Sequence, residues 1–168
     1  MTFEHSDLTI RPARLSEVDI IVGHRRAMLA EIRQPQVALL DAIDAAFAPW
    51  LTERMASSDY LGWFAVTPAG EVAAGAGLWL MDWLPHLMHV EPRRGNIVNV
   101  YVQPAYRRHG LARALTETAV NWCRDHEVNM VILHASEAGR PLYQALGFAP
   151  TNEMSLMFKA NPLLAGEE

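Results

Sequence analysis

The segment Asn99 to Leu115, NVYVQPAYRRHGLARAL, carries the densest chemistry in the chain. A β-branched and aromatic run, Ile97 to Val102, stops at Pro104, and helical spacing begins at Leu111. Arg107, Arg108, His109, Gly110, Leu111, Ala112 and Arg113 occupy the junction. A helix start presents backbone N–H groups without internal partners, together with the positive end of the helix dipole. Gly110 and Ala112 remove bulk, so an anion can approach the backbone closely. Two arginines at a helix start oppose the dipole unless an anion offsets them, so the junction reads as a phosphate or pyrophosphate cradle. Neither the GxxxxGK[ST] spacing of a Walker loop nor the GxGxxG of a dinucleotide fold is present.

The elements around this junction follow from hydrophobic period. Thr9 to Arg11 opens a strand that ends at Pro12. Ser16 and Asp19 resemble an N-cap and first-turn acid for a helix carrying Ile20, Ile21, His24, Met28 and Ile32. A second helix spans 41 to about 57, with Pro49 predicting a break or kink. Residues 61–67 and 71–83 read as a hairpin around Pro68-Ala69-Gly70, and 83–95 as a loop. After the Ile97–Val102 strand, Leu111, Leu115, Thr118, Ala119 and Trp122 mark one helical face. Met130 to Ala135 is a buried strand, Pro141 to Leu146 a short helix closed by Gly147, and Leu156 to Phe158 a last strand. The order β-α-α-β-β-β-α-β-α-β is that of an α/β (α+β layered) domain with a mixed sheet.

The chain has 168 residues, 51% of them hydrophobic, a net charge of −5 and one cysteine, Cys123. That length predicts a single domain, here 1–160 with a flexible tail over 161–168. The acidic balance argues against a nucleic-acid partner, and no apolar run approaches the roughly 20 residues needed to span a membrane. A disulfide framework within the chain is excluded, and a soluble, cytoplasmic protein is expected.

Two motifs in this order resemble the GNAT N-acetyltransferase family. Arg107, Gly110 and Ala112 match its Gln/Arg-x-x-Gly-x-Gly/Ala acyl-CoA loop. Ser136 to Phe148, SEAGRPLYQALGF, is similar to its second motif through Leu142, Tyr143, Gly147 and Phe148, and Thr9-Ile10-Arg11-Pro12-Ala13 to its first strand. The resemblance covers nearly the whole chain. It implies a mixed central sheet of about six to seven strands flanked by helices, with splayed central strands. It implies acetyl-CoA as co-substrate, lying between the Asn99–Val102 and Met130–Ala135 strands. Backbone around Val100, Tyr101 and Val102 would pair with the pantetheine arm, and Arg107 to Arg113 would hold the pyrophosphate. A primary amine of a small molecule would attack the thioester, a backbone N–H near Val100 would stabilise the oxyanion, and Tyr143 would protonate the thiolate. The family often uses a strand carboxylate as base. Here Asn96 and Asn99 are the polar side chains of that strand besides the Tyr101 hydroxyl, so a water held by Asn99 is expected, with Glu91 or Asp82 as further candidates. Ser136 stands where the family has an Asn that touches pantetheine. A homodimer is implied too. Two other functions stay open, a non-catalytic acyl-CoA-binding module and a protein or peptide N-acetyltransferase.

The remaining candidates carry bland readings beside sharp ones. Tyr143 alone would read as core packing, and His134 reads as a buried, hydrogen-bonded histidine. Cys123 sits on a helix face without a nearby base. Asp82, His86 and His89 have tolerable metal spacing but no evident fourth ligand, so no metal is expected. Trp79, Met81, Trp83, Leu84 and Met88 concentrate apolar bulk that could cover a sheet, form a dimer contact or wall an acceptor pocket. Trp79 and Trp83 are taken as acceptor contacts, with Met28. By the resemblance, the first helix, with His24, Arg25, Met28 and Glu31, borders the acceptor.

Overall fold

The computed structural model describes residues 8–87 and 89–158. Chain order is β1 (Thr9–Pro12), a 3-10 turn at Leu15–Glu17, α1 (Val18–Arg33), α2 (Val37–Ala56), β2 (Tyr60–Val66), β3 (Val72–Asp82), β4 (Arg93–Val102), a 3-10 turn at Pro104–Tyr106, α3 (Leu111–Asp125), β5 (Val131–Leu133) and α4 (Arg140–Ala145). The sheet runs β1-β2-β3-β4-β5 in space. The first three pairings are antiparallel, and β4 pairs with β5 in parallel through the α3 crossover. The α/β class with a mixed sheet is therefore as expected. The strand count is five among the described residues, not about six to seven.

Each face of the sheet has its own core. Ile97, Leu111, Leu115, Ala119 and Cys123 pack with Ala76, Leu78 and Leu80 on the α3 face. Ile21, Leu51, Tyr60 and Phe64 pack with Phe47, Trp50 and Trp79 on the α1/α2 face. Burial pushes the Cys123 thiol up to about 11, in keeping with a packing role.

Local expectations are corrected in three places. Ser16 does not cap α1: it lies in the preceding 3-10 turn, where Glu17 accepts the Arg14 N–H at 2.8 Å and binds Arg11 at 2.6 Å. Helix α2 runs through Pro49 without a break. The proline removes one backbone donor, but Trp50 stacks on Phe47 at 5.8 Å and Leu51 is fully buried, so packing on both sides of the lost bond outweighs it. Residues 156–158 form no strand: Leu156, Met157 and Phe158 are exposed and pair with no neighbour, and a strand without a ladder partner has no backbone bonds to hold it. The expected tail over 161–168, the first residues of the expected domain and Met88 lie outside the described residues.

Candidate active site

The sheet opens where the predicted site residues meet. Parallel pairing of β4 with β5 ends at Ile97↔Leu133. Val98 to Val102 continue on the other side of a widening gap, and their backbone has no ladder with β5. A cleft of about 940 Å³ fills the opening. Its walls include Asn99, Val100, Tyr101 and Val102 from β4, and Leu133, His134, Ser136 and Tyr143 from the β5–α4 side. Arg107, Arg108, Gly110, Leu111, Ala112 and Arg113 close one end, and Arg25, Met28 and Glu31 of α1 line one side.

A bulge in β4 decides which side chains face α1. Gly75 pairs with Tyr101 but Gly77 pairs with Val98, so Asn99 and Val100 together oppose Ala76. Asn99 takes the left-handed conformation that the extra residue requires, at φ 55°. Ile97, Val100 and Val102 remain with the α3-side core, whereas Tyr101 lies 5.2 Å from His24 of α1 and Asn99 bonds Tyr60. Without the bulge, strict alternation would send Asn99 and Tyr101 to the α3 face.

Asn99 is held at both ends of its amide. Its Nδ2 donates to the Tyr60 hydroxyl at 3.0 Å, and its Oδ1 accepts from Arg25 at 2.7 Å. Burial pushes the Tyr60 phenol up to about 12, so it stays protonated. Gly77 makes room for that phenol, since a Cβ there would overlap its Oη and Cζ. His24, buried against Phe64 and Tyr101, is held below the ordinary histidine range by desolvation and does not line the cleft.

The cradle end has the expected backbone. Gly110 caps α3 in the left-handed region at φ 77°, and the first intrahelical bond runs from Ala114 N–H to Gly110 O at 3.0 Å. The N–H groups of Leu111, Ala112 and Arg113 therefore have no intrahelical acceptor. Arg108 is also left-handed, at φ 66°, and exposed. Arg107 points elsewhere: it forms a two-pronged pair with Glu31 at 2.7 Å and donates to Val102 O at 3.0 Å, and the Glu31 bond holds its guanidinium more firmly protonated. Tyr101 donates to the same carboxylate at 3.3 Å. This clasp ties α1 to the end of β4, and its partners, 76 positions apart, left no mark of it in the sequence.

Other candidates fall in or out of the cleft by position. Tyr143 lines it, half-buried, with its phenol raised by desolvation and its ring edge-on to Phe148 at 6.1 Å. Ser136 is exposed and its Oγ accepts the Gly139 N–H at 3.1 Å, which leaves its own hydrogen to donate. His134 is exposed and lines the cleft, not buried as expected. It directly follows β5, past the last β4–β5 pair at Ile97 and Leu133, where strand pairing no longer fixes its side. His109 sits outside the cleft, with Nδ1 3.3 Å from Tyr106 O.

The proposed acceptor contacts Trp79 and Trp83 are not on the cleft. Trp79 packs edge-on against Trp50 at 5.1 Å beneath α2. Trp83 lies at the far end of β3, where the Arg94 guanidinium covers its ring at 3.2 Å, and it lines a separate hollow with Asp82, Leu84 and Pro92. Asp82 and Glu91 are likewise remote from the cleft, so neither serves as its base. Met28 is the predicted acceptor contact that lines it. Among the described residues no group of three or more His, Cys, Asp or Glu could hold a metal, and no helix is long and apolar enough to cross a membrane.

The parallel pair splits beside a glycine-started helix, which leaves an open strand edge next to free helix N–H groups. The Acetyltransferase (GNAT) family profile matches residues 27–148. The chain belongs to this family of acetyltransferases, as its two sequence motifs suggested. It is similar to the GCN5-related N-acetyltransferase of Ralstonia eutropha JMP134, with 34% identity, a TM-score of 0.83, and coverage of 90% of this chain and 98% of that one. It shares its fold with a predicted acetyltransferase from Clostridium acetobutylicum solved with acetyl-CoA, at 24% identity and TM-score 0.78, covering 95% and 99% of the two chains. It is also 33% identical over 85 residues to the glucosamine 6-phosphate N-acetyltransferase of Trypanosoma brucei brucei, a match spanning 51% of this chain and 56% of that enzyme.

Proposed function

We propose that the protein transfers the acetyl group of acetyl-CoA to a primary amine of a small molecule, by direct attack on the thioester. The observation that carries this reading is the opening between β4 and β5, which leads from the bulge at Asn99 to the unpartnered N–H groups after Gly110. The neutral pantetheine arm fits the β4 edge as an added strand along Val100 to Val102, and the pyrophosphate fits the helix start. Arg108 and Arg113 supply charge there; Arg107 contributes through the Glu31 clasp that fixes the loop. Similarity to an enzyme whose name specifies glucosamine 6-phosphate supports a small, amine-bearing acceptor.

Each chemical step has a candidate group. A backbone N–H at the bulge, near Val100, donates to the developing oxyanion, and such a donor is pre-aimed at no further cost. Tyr143 keeps its proton at neutral pH because burial raises its phenol, and it delivers that proton to the departing thiolate. His134, which lines the cleft, takes the amine proton through water. Asn99 positions the bulge: its amide is spent on Tyr60 and Arg25. Isothermal titration with acetyl-CoA, free CoA and ATP, followed by a thiol-release assay over an amine panel, tests the reading. Saturable binding of both CoA species and amine-dependent thiol release are expected. A folded sample that binds neither overturns it.

A further inference from the structure

The arginines around the cleft are unequally neutralised. Arg26 pairs with Asp41 and Asp44, and Arg107 pairs with Glu31. Arg25, one residue before Arg26, has no carboxylate within ion-pair distance among the described residues. One of its nitrogens donates to Asn99 Oδ1, its guanidinium lies 4.8 Å from the centre of the Phe47 ring, and its Nε is buried without a partner. Asp44 is near enough to favour the charge, but its Oδ2 is committed to Arg26, and its Oδ1, buried without a partner, forms no ion pair with Arg25. A guanidinium withdrawn from water onto neutral partners is costly, and the cost falls away when an anion arrives. Arg25 also lines the cleft, next to the bulge where the thioester would lie.

Coenzyme A does not meet this requirement. Its phosphates belong at the Gly110 end, beyond Val102, and the strand from Asn99 to Val102 alone extends about 10 Å. The pantetheine opposite that stretch is uncharged. The other charged or titratable groups facing the cleft are Glu31, already clasped by Arg107, Glu137 and His134 on the β5–α4 wall, and Arg107, Arg108 and Arg113 at the Gly110 end.

Resting on the acetyl-transfer reading, we infer that Arg25 receives an anionic group of the acceptor, so the acceptor is a primary amine that also carries a carboxylate or a phosphate. A fork of N–H donors suits either oxyanion. An acceptor that presents a cation to Arg25 meets like charge instead.

The test is a binding comparison on the CoA-loaded protein, in which the cradle is filled and no turnover occurs. Glucosamine 6-phosphate is titrated against glucosamine, and β-alanine against β-alaninamide, to separate phosphate from carboxylate. One anionic member should bind about tenfold or more tightly than its uncharged counterpart. Arg25→Gln should remove that preference when it is read at saturating CoA, where any loss of CoA affinity through the freed Asn99 Oδ1 is made good by concentration. Arg25→Lys keeps the charge without the fork; it should retain part of the preference, and it serves if Arg25→Gln does not fold. Equal binding within both pairs, an undiminished preference in Arg25→Gln, or no binding of either anion overturns the inference. Failure of CoA to bind instead overturns the acetyl-transfer reading, and the same pairs titrated on the protein alone, wild type against Arg25→Gln, then decide the role of Arg25.

Discussion

Gly77→Ala perturbs the site from behind, without touching the cleft. A Cβ at this position would overlap Tyr60 Oη and Cζ and lie 3.1 Å from Cε2. Tyr60 is 2% exposed and wedged against Trp50, so its ring has no free volume to enter. Overpacking of this kind costs about 1–3 kcal/mol. Displacing the phenol also strips Asn99 Nδ2 of its buried acceptor, a further loss of about 1–3 kcal/mol. A total near 4 kcal/mol at this chain length corresponds to a fall in Tm of about 8–16 °C. Asn99 is the left-handed residue of the β4 bulge, so acetyl-CoA affinity should fall as well, measured well below the new Tm. Gly23→Ala is the control: it is exposed in α1 with nothing within 4 Å of the added carbon, and it should leave Tm unchanged or raise it slightly. A Gly77→Ala protein that melts within about 2 °C of wild type would refute the steric reasoning. One that melts early but binds acetyl-CoA normally would refute the link from Tyr60 through Asn99 to the cleft.

Three further outcomes are expected. Tyr143→Phe should lower turnover by about 10²–10⁴-fold with acetyl-CoA affinity nearly unchanged, read by steady-state kinetics beside titration; an unaltered rate across pH removes Tyr143 as the acid. Glu31→Gln breaks a clasp whose partners are 42% and 46% exposed, so the change in stability should stay within about 1 kcal/mol while the Arg107 loop loosens, read as faster amide exchange at Arg107 to Gly110. Burial holds the His24 pKa below the ordinary value, so the unfolded chain binds that proton more readily. Stability should be full above about pH 6.5 and decline as pH falls below it, and His24→Gln should flatten that decline in urea titrations.

Local signals were sufficient wherever a feature rests on neighbours in the chain. The helix start is such a feature: Gly110 adopts its positive φ at a strand-to-helix junction, and the free N–H groups after it are a property of any helix start. The α3 face and the β4 run follow from periodicity, and the two motifs pointed to the family that the profile then matched. Pro49 and the 156–158 segment show the limit. One kept its helix because Phe47, Trp50 and Leu51 pack around it, and the other made no strand because no partner pairs with it. The α1 side of the cleft belongs wholly to tertiary structure. A one-residue bulge, invisible in an alternating run of valines, decided that Asn99 and Tyr101 face α1 and that Val100 does not. The contacts that follow from it, Asn99 to Tyr60 and Arg25, and Arg107 to Glu31, join residues 39 to 76 positions apart. Composition and spacing determine which groups the chain owns, but a buried charge acquires its chemistry from the partners that packing supplies or withholds. For that reason Arg25 and Arg26, adjacent in sequence, differ in kind: Arg26 is neutralised by two aspartates, and Arg25 faces the cleft with no ion-pair partner among the described residues.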